Sequence, residues 1–454
     1  MRQLLAMAAA LAVHGAALAA PTTVLFVGNS YTFGRLDPVL TYNAANVIDL
    51  TRPQGPLRTD TLGAPFTNVT GTNSYPASGP LNPTGTLPSY SPHTQTTSWG
   101  GVPGIFKQLT VQAGLDYDVS LSTRNAASLR GHFLNTANAN WNLRGNIDEK
   151  KWDKVVLQEQ SDEALKPKTV GSSTLGSNFA GFQAYANLIE NWIHLGTVPT
   201  YGVSQAGVPA GTTRYTEQAM YDTIFGSQAA CVAAGGTSAS CSNSTNRNIP
   251  TNPNANAAAQ IYLMQPWARP NLINPPGTNT IDPVTGNAIY DTSTPAPSFF
   301  GSLEAITDEN TAQYLRAIDF ADNDSAGFTG GLVPVGQAFM NAVAFGLATR
   351  DIYAADAGTD GLLDLWFNDG THASVLGSYL SALIHFGKLT GLDPMMFGRD
   401  EIAARDLGIG AHDAMVLQRV ASYSLGFTSS IPEPATLALV GMALPLLGLR
   451  RRRR

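Results

Sequence analysis

Val24-Leu25-Phe26-Val27-Gly28-Asn29-Ser30-Tyr31-Thr32 sets the architecture expected of this chain. Four apolar residues run straight into Gly-Asn-Ser. That pattern predicts a buried parallel strand ending in a tight turn, with a hydroxyl presented at the strand's carboxyl end. Ligands bind at that end in open α/β sheets, so Ser30 stands where a nucleophile is wanted. Taken alone, these nine residues fit an ordinary strand-to-loop junction equally well.

Outward from this run, the apolar spacing predicts further strands at 117–122, at 153–157 and within 261–267, with a short one in 201–208. Helices are expected at 38–50, 102–114, 179–195, 304–320, 335–348, 371–389 and 401–425. Strands alternating with helices indicate an α/β fold, a parallel sheet covered on both faces as a three-layer sandwich. Two polar segments, about 51–100 and 226–300, read as long loop insertions in one domain spanning 20–428. No internal repeat or second domain is evident. Phe66, Tyr75, Tyr90 and Trp99 in the first insertion either line a sugar-binding surface or are isolated loop aromatics.

Charged residues make up only 13% of the 454, alongside 44 Gly and 28 Pro. Such a loop-rich, weakly charged chain is unlike a nucleic-acid binder. The formal net charge of −6 includes Arg2 and Arg450 to Arg454 at the extreme ends, so the part between them is more acidic still. Residues 1–19 have a basic start, an apolar middle and Ala17-Leu18-Ala19 as a small-x-small cleavage site, the layout of an export signal. At the other end, Pro432-Glu433-Pro434 precedes an apolar run and then five arginines. The run is short for a span of about 20 residues, and the arginines would hold it at the cytoplasmic face. This layout over 431–454 resembles the PEP-CTERM sorting signal of Gram-negative, polysaccharide-producing bacteria; a plain C-terminal anchor is the alternative. The resemblance implies a secreted or cell-surface protein, transient membrane contact through the tail, and an exosortase-type processing enzyme as partner. Cys231 and Cys241, in an oxidising compartment, are expected to form one disulfide worth ~2–3 kcal/mol of loop entropy.

Nucleophilic hydrolysis by serine needs a base within hydrogen-bond reach and a group that fixes the base's tautomer. Of seven histidines, His14 lies in the export segment and His93 in the first insertion, while His132, His194 and His385 read as lacking a nearby acid. Asp413 beside His412 points elsewhere on a helix. His372 remains, in Asn368-Asp369-Gly370-Thr371-His372. Asp369, three residues earlier across a Gly-Thr turn, can fold back onto one imidazole nitrogen and support a proton-accepting role. An Asp helix cap beside an exposed histidine is the other reading of the same residues.

Val-Gly-Asn-Ser-Tyr-Thr near the start, with Asp-Gly-Thr-His and an amphipathic segment near the end, resembles the SGNH (GDSL-like) hydrolase superfamily. Val155 to Ser161, Pro334-Val335-Gly336 and Gly391-Leu392-Asp393-Pro394 resemble one branch of it. The resemblance implies a flavodoxin-like fold, a catalytic triad of Ser30, His372 and Asp369, and an oxyanion hole. This sequence departs from the family at that hole. Gln158-Glu159-Gln160 stands for the usual Gly-x-Asn-Asp, which makes Gln160 the amide donor, with Gln158 second. Asn125-Ala126-Ala127 lacks the usual second-block glycine, which leaves the N–H of Ala127 beside that of Ser30.

The implied activity is a secreted serine esterase acting on O-acyl (O-acetyl) ester bonds, with an acylated extracellular polysaccharide as substrate. A non-catalytic glycan-binding or matrix protein on the same fold is the alternative. An α/β-hydrolase elbow is excluded, because Ser30 sits between Gly28 and Thr32 rather than in Gly-x-Ser-x-Gly. No motif calls for a cofactor or a metal.

Overall fold

Alternation along the first strand, β1 (Thr22–Gly28), builds both cores of the molecule: Val24 and Phe26 enter one hydrophobic cluster, Leu25 and Val27 the other. The computed structural model describes residues 20–34, 37–50, 99–134, 142–281, 288–321 and 326–429. The export segment, the tail at 431–454 and the aromatic residues Phe66, Tyr75 and Tyr90 lie outside them.

β1 sits inside a six-stranded sheet with β2 (Ile48–Asp49), β3 (Tyr117–Thr123), β4 (Lys154–Leu157), β5 (Gln260–Met264) and β6 (Gly331–Val333). The order is β6-β5-β4-β1-β3-β2, and every pairing is parallel. β4 and β5 repeat the alternation: Val156, Tyr262 and Met264 face one layer, while Val155, Leu157, Ile261 and Leu263 face the other. Helices α2 (Gly101–Gln112), α6 (Val335–Ala344), α7 (Val375–Thr390) and α8 (Ala411–Ser424) cover the first face. Helices α3 (Leu129–Leu134) and α4 (Phe179–Leu195) cover the second, and α5 (Leu303–Ala321) contributes to both clusters. The fold is thus an α/β three-layer sandwich. Without the two-residue β2, the strands follow the flavodoxin-like order 2-1-3-4-5. The winding reverses at β1, and the crevice for a ligand opens beyond the carboxyl ends of β1 and β4.

Several expected elements differ, each for a local reason. Residues 38–50 form turns, one short helical turn at Ala44–Asn46 and the two-residue β2; Asn43 adopts a left-handed φ of +54°, which an α-helix does not accommodate. Residues 201–208 are turns rather than a strand. Gly202 and Gly207 take left-handed φ, and the Gln205 carboxamide bonds the Arg214 backbone at both ends. The expected helix at 371–389 begins only at Val375, and 401–425 divides into Ile402–Asp406 and α8. The second insertion is ordered by structure that its polar sequence hides. It contains the Cys231–Cys241 disulfide, the strand Asn246–Pro250 paired with Thr212–Thr216, and the hairpin Thr278–Ile281/Ala288–Asp291. Trp99 is no surface aromatic: it is buried against Phe33 with ring centroids 4.4 Å apart.

Gly377, in the first turn of α7, lets that helix lie directly on the segment leading to His372. A Cβ there would fall 2.2 Å from the Leu365 carbonyl oxygen and 2.8 Å from the Phe339 ring. Gly377→Ala is therefore expected to destabilise the fold by ~1–3 kcal/mol through overpacking, seen as a lower urea midpoint. An unchanged midpoint would contradict this close approach.

Candidate active site

The turn carrying Ser30 is fixed from below. Gly28 ends β1 where a Cβ would lie 2.5 Å from Gln158 Oε1, so the glycine admits that side chain. Gln158, fully buried after β4, accepts from the Asn29 amide at 2.8 Å and the Thr32 hydroxyl at 3.1 Å, and its Nε2 donates to the Glu159 carbonyl. Asn29 accepts from the Tyr31 amide at 3.1 Å and donates through Nδ2 to the Ala127 carbonyl, also at 3.1 Å. Ser30 opens the four-residue helix α1 (Ser30–Phe33) and is nearly buried. Its N–H makes no hydrogen bond among the described residues.

The turn carrying Asp369 and His372 is fixed from the other side. Phe367 donates to the His372 carbonyl at 2.8 Å and Gly370 to the Phe367 carbonyl at 3.0 Å, with Gly370 at φ +63°. Asp369 Oδ1 accepts from the amides of Thr371 and His372, each at 2.9 Å. Phe367 takes the His372 carbonyl and Trp267 Nε1 the Thr371 carbonyl, the acceptors a helix begun at Thr371 would give to the amides four residues on, and α7 begins later, at Val375 with Ser374 as its cap. The two bonds to Asp369 Oδ1 leave Oδ2 for His372 Nδ1 at 2.7 Å, and His372 Nε2 stands 2.9 Å from Ser30 Oγ. With a carboxylate at Nδ1 the ring proton belongs there, and Nε2 is left to accept from the serine hydroxyl. The structure thus joins Ser30, His372 and Asp369 in one hydrogen-bonded chain across 342 residues of sequence.

Aromatic stacking holds the two turns together. Tyr31 lies edge-on to His372 and stacks on Trp267 at 4.1 Å; Trp267 in turn stacks on Phe339 at 5.0 Å. Trp267 Nε1 donates to the Thr371 carbonyl at 2.9 Å.

The expected oxyanion donors divide. Gln158 cannot serve, because both ends of its carboxamide are committed inside the fold. Ala127 also departs from expectation. Ala126 adopts φ +52°, a left-handed conformation in which glycine is usual, and the resulting turn ties the Ala127 N–H to the Arg124 carbonyl at 3.2 Å. Gln160 is different. Gln158 continues the β4–β1 ladder by donating to the Val27 carbonyl at 2.9 Å, so Gln160 lies two residues further out, beyond the strand end. Its Oε1 accepts from the Asp162 amide at 2.9 Å, which leaves Nε2 without a partner among the described residues.

Sequence reasoning missed Arg269. From beyond β5, this mostly buried guanidinium reaches Ser161 Oγ at 3.0 Å, Asp162 Oδ2 at 3.2 Å and Asn271 Oδ1 at 3.2 Å. It braces the Gln160 loop, and Asn271 continues the tie by donating to the Gly370 carbonyl at 3.3 Å. Nothing near Arg269 in sequence announces these partners. The acid beside His194 was legible and missed. Glu190, one helical turn earlier, contacts Nδ1, and Nε2 meets the Ala259 carbonyl at 2.9 Å. Ala259 precedes β5, so this pair lies at the end of the sheet opposite Ser30.

Beneath the Gln160 loop, Glu159 accepts from the amides of Leu129 and Gln160 at 3.1 and 2.7 Å. Burial, then the neighbouring Glu163, push its carboxyl well above the usual range. Burial likewise pushes Glu163 up to about 7. The folded form therefore holds a proton on Glu163 that the unfolded chain releases near 4.5. Stability from this group is present below about 4.5 and lost as pH rises to about 7, by on the order of 3 kcal/mol. Glu163→Gln is expected to flatten the decline between these pH values in urea unfolding; the same slope in both proteins would contradict the assignment.

No family model and no curated protein matches the chain. Among solved structures it resembles a DUF4886 family protein from Bacteroides uniformis ATCC 8492, with 11% identity over 91% of this chain and 98% of that one, at a TM-score of 0.38. It also resembles a protein from Slackia heliotrinireducens described as a candidate SGNH hydrolase, with 12% identity over 81% of this chain and 99% of that one, at a TM-score of 0.29.

Proposed function

We propose that this chain is a serine esterase of the SGNH type. The observation that carries the reading is the hydrogen-bonded series from Ser30 Oγ through His372 to Asp369 at 2.9 and 2.7 Å. It stands at the switch point of the sheet, where ligands bind in such folds. Ser30 Oγ attacks the ester carbonyl as its proton passes to His372 Nε2, and Asp369 stabilises the imidazolium that forms. The Ser30 N–H and Gln160 Nε2 hold the negative charge on the tetrahedral oxygen. Collapse expels the alcohol, which takes the proton back from His372. Water, deprotonated by His372, then releases the acid and restores Ser30.

The substrate we assign is an O-acyl, chiefly O-acetyl, group on an extracellular polysaccharide. This assignment and cell-surface export rest on the layout of residues 1–19 and 431–454 alone. So do the exosortase-type partner and the transient membrane contact through the tail. A non-catalytic glycan-binding role on the same fold draws support from one observation: the second oxyanion block has its Ala127 N–H tied up in a turn.

Two measurements test the esterase reading. Hydrolysis of p-nitrophenyl acetate should fall by at least ~10³-fold in Ser30→Ala; equal rates in the two proteins would end the reading. Gln160→Ala should lower kcat by roughly 10²–10³ with little change in unfolding midpoint. Gln158→Ala should do the reverse in kind, lowering the midpoint through three lost buried hydrogen bonds. If the kcat losses were exchanged between the two variants, the oxyanion assignment would be wrong.

A further inference from the structure

A depression of about 240 Å³ opens between the turn at 270–274, the start of α5 and the turn at 350–353. It adjoins the turn carrying Asp369 and His372 through Tyr353 and through Asn271, whose N–H donates to the Gly370 carbonyl at 3.3 Å. The Tyr353 hydroxyl packs so closely on Gly370 that a Cβ there would lie 2.1 Å away. Tyr353 also meets Tyr290 edge-on at 5.4 Å, and Tyr290 donates to the Asn368 carbonyl at 2.8 Å. The pocket therefore shares a wall with the segment carrying Asp369 and His372.

Its lining selects among ligand classes. Arg350, Asp351 and Asn274 bring a cation, an anion and an amide into one lining with the Tyr353 ring and the apolar Ile273. An anionic ligand would meet the Asp351 carboxylate, and a cationic one the Arg350 guanidinium. An acyl chain would cover all three polar groups without bonding them and strip them of water. The volume is also below the 300–1,000 Å³ typical of drug-sized ligands. A neutral polyol avoids each of these conflicts. Every hydroxyl both donates and accepts, so it can serve guanidinium, carboxylate and amide together. The C–H face of a sugar ring has the Tyr353 ring to lie against. The polar groups are available for this. Asn274 makes no side-chain hydrogen bond among the described residues. Asp351 uses Oδ1 to accept from the Tyr353 amide at 3.0 Å, and Arg350 uses Nη1 on Glu304 at 2.6 Å.

We propose that this depression is a subsite for one sugar ring of a glycan, next to the ring whose ester meets Ser30. The subsite rests on the esterase reading only in taking the bound glycan as the carrier of the ester. Sugar binding itself does not require catalysis.

The test titrates the full chain with four unesterified tetrasaccharides, namely cellotetraose, xylotetraose, mannotetraose and tetragalacturonate, by calorimetry. p-Nitrophenyl acetate turnover is measured in parallel. At least one sugar should bind, and Asn274→Ala and Arg350→Ala, both at exposed positions, should each weaken that binding tenfold or more. For an acetylated form of the bound sugar, the variants should raise KM at least tenfold more than they raise it for p-nitrophenyl acetate. No binding of any of the four sugars, or equal binding by wild type and both variants, would overturn the subsite. Sugar binding lost in the variants, with no aryl ester turnover by wild type, would keep the subsite and remove the esterase reading. Turnover without sugar binding would do the opposite.

Discussion

The Gln158 carboxamide lies out of contact with solvent between the ends of β1 and β4, so both its ends must find partners inside the protein. It finds them in the Asn29 amide, the Thr32 hydroxyl and the Glu159 carbonyl. These bonds fix the backbone on both sides of Ser30, and they form only because Gly28 has no side chain to keep Gln158 away. The position of the serine hydroxyl is thus set by a polar cross-link between two adjacent parallel strands. Asn29 extends the link to the third neighbouring strand through the Ala127 carbonyl beyond β3.

The turn carrying Asp369 and His372 reaches Ser30 by a different kind of constraint. Its local geometry comes from Asp369, which accepts two amides with one carboxylate oxygen and orients the histidine with the other. Its placement comes from packing: the Tyr31, Trp267 and Phe339 rings form a column under His372, and α7 closes on Leu365 at Gly377. The second insertion contributes as well, since Asn368 exchanges two hydrogen bonds with Ala288 on its hairpin. A segment of unremarkable polar sequence thereby clamps the residue next to Asp369.

Much of this was legible in the sequence because it depends on short-range pattern. The alternation in Val24 to Val27 marks a strand buried on both faces, and the helix expected at 179–195 is the one observed. Residues at strand ends and in short turns were legible for the same reason, which is how Ser30, Asp369 and His372 could be singled out. What depends on register was not. Gln158 and Gln160 look equivalent in sequence, yet one continues the ladder inside the sheet and the other stands beyond it. The missing glycine at Asn125-Ala126-Ala127 was noticed, but not that Ala126 would itself adopt the conformation usual for glycine. Trp99 sat in a polar run and proved to be core. Arg269 is the clearest case: its partners Ser161 and Asp162 are more than 100 residues away in sequence, and only the adjacency of β4 and β5 brings them together.

The central claim is that Ser30 is an activated nucleophile rather than a buried hydroxyl that happens to lie beside a histidine. Reaction with an alkyl fluorophosphonate, followed by intact mass and peptide mapping, addresses it without any assumption about substrate. The account predicts a single adduct, on Ser30, whose formation is abolished in His372→Ala. An unmodified protein, or an adduct on another residue with Ser30 untouched, would contradict it.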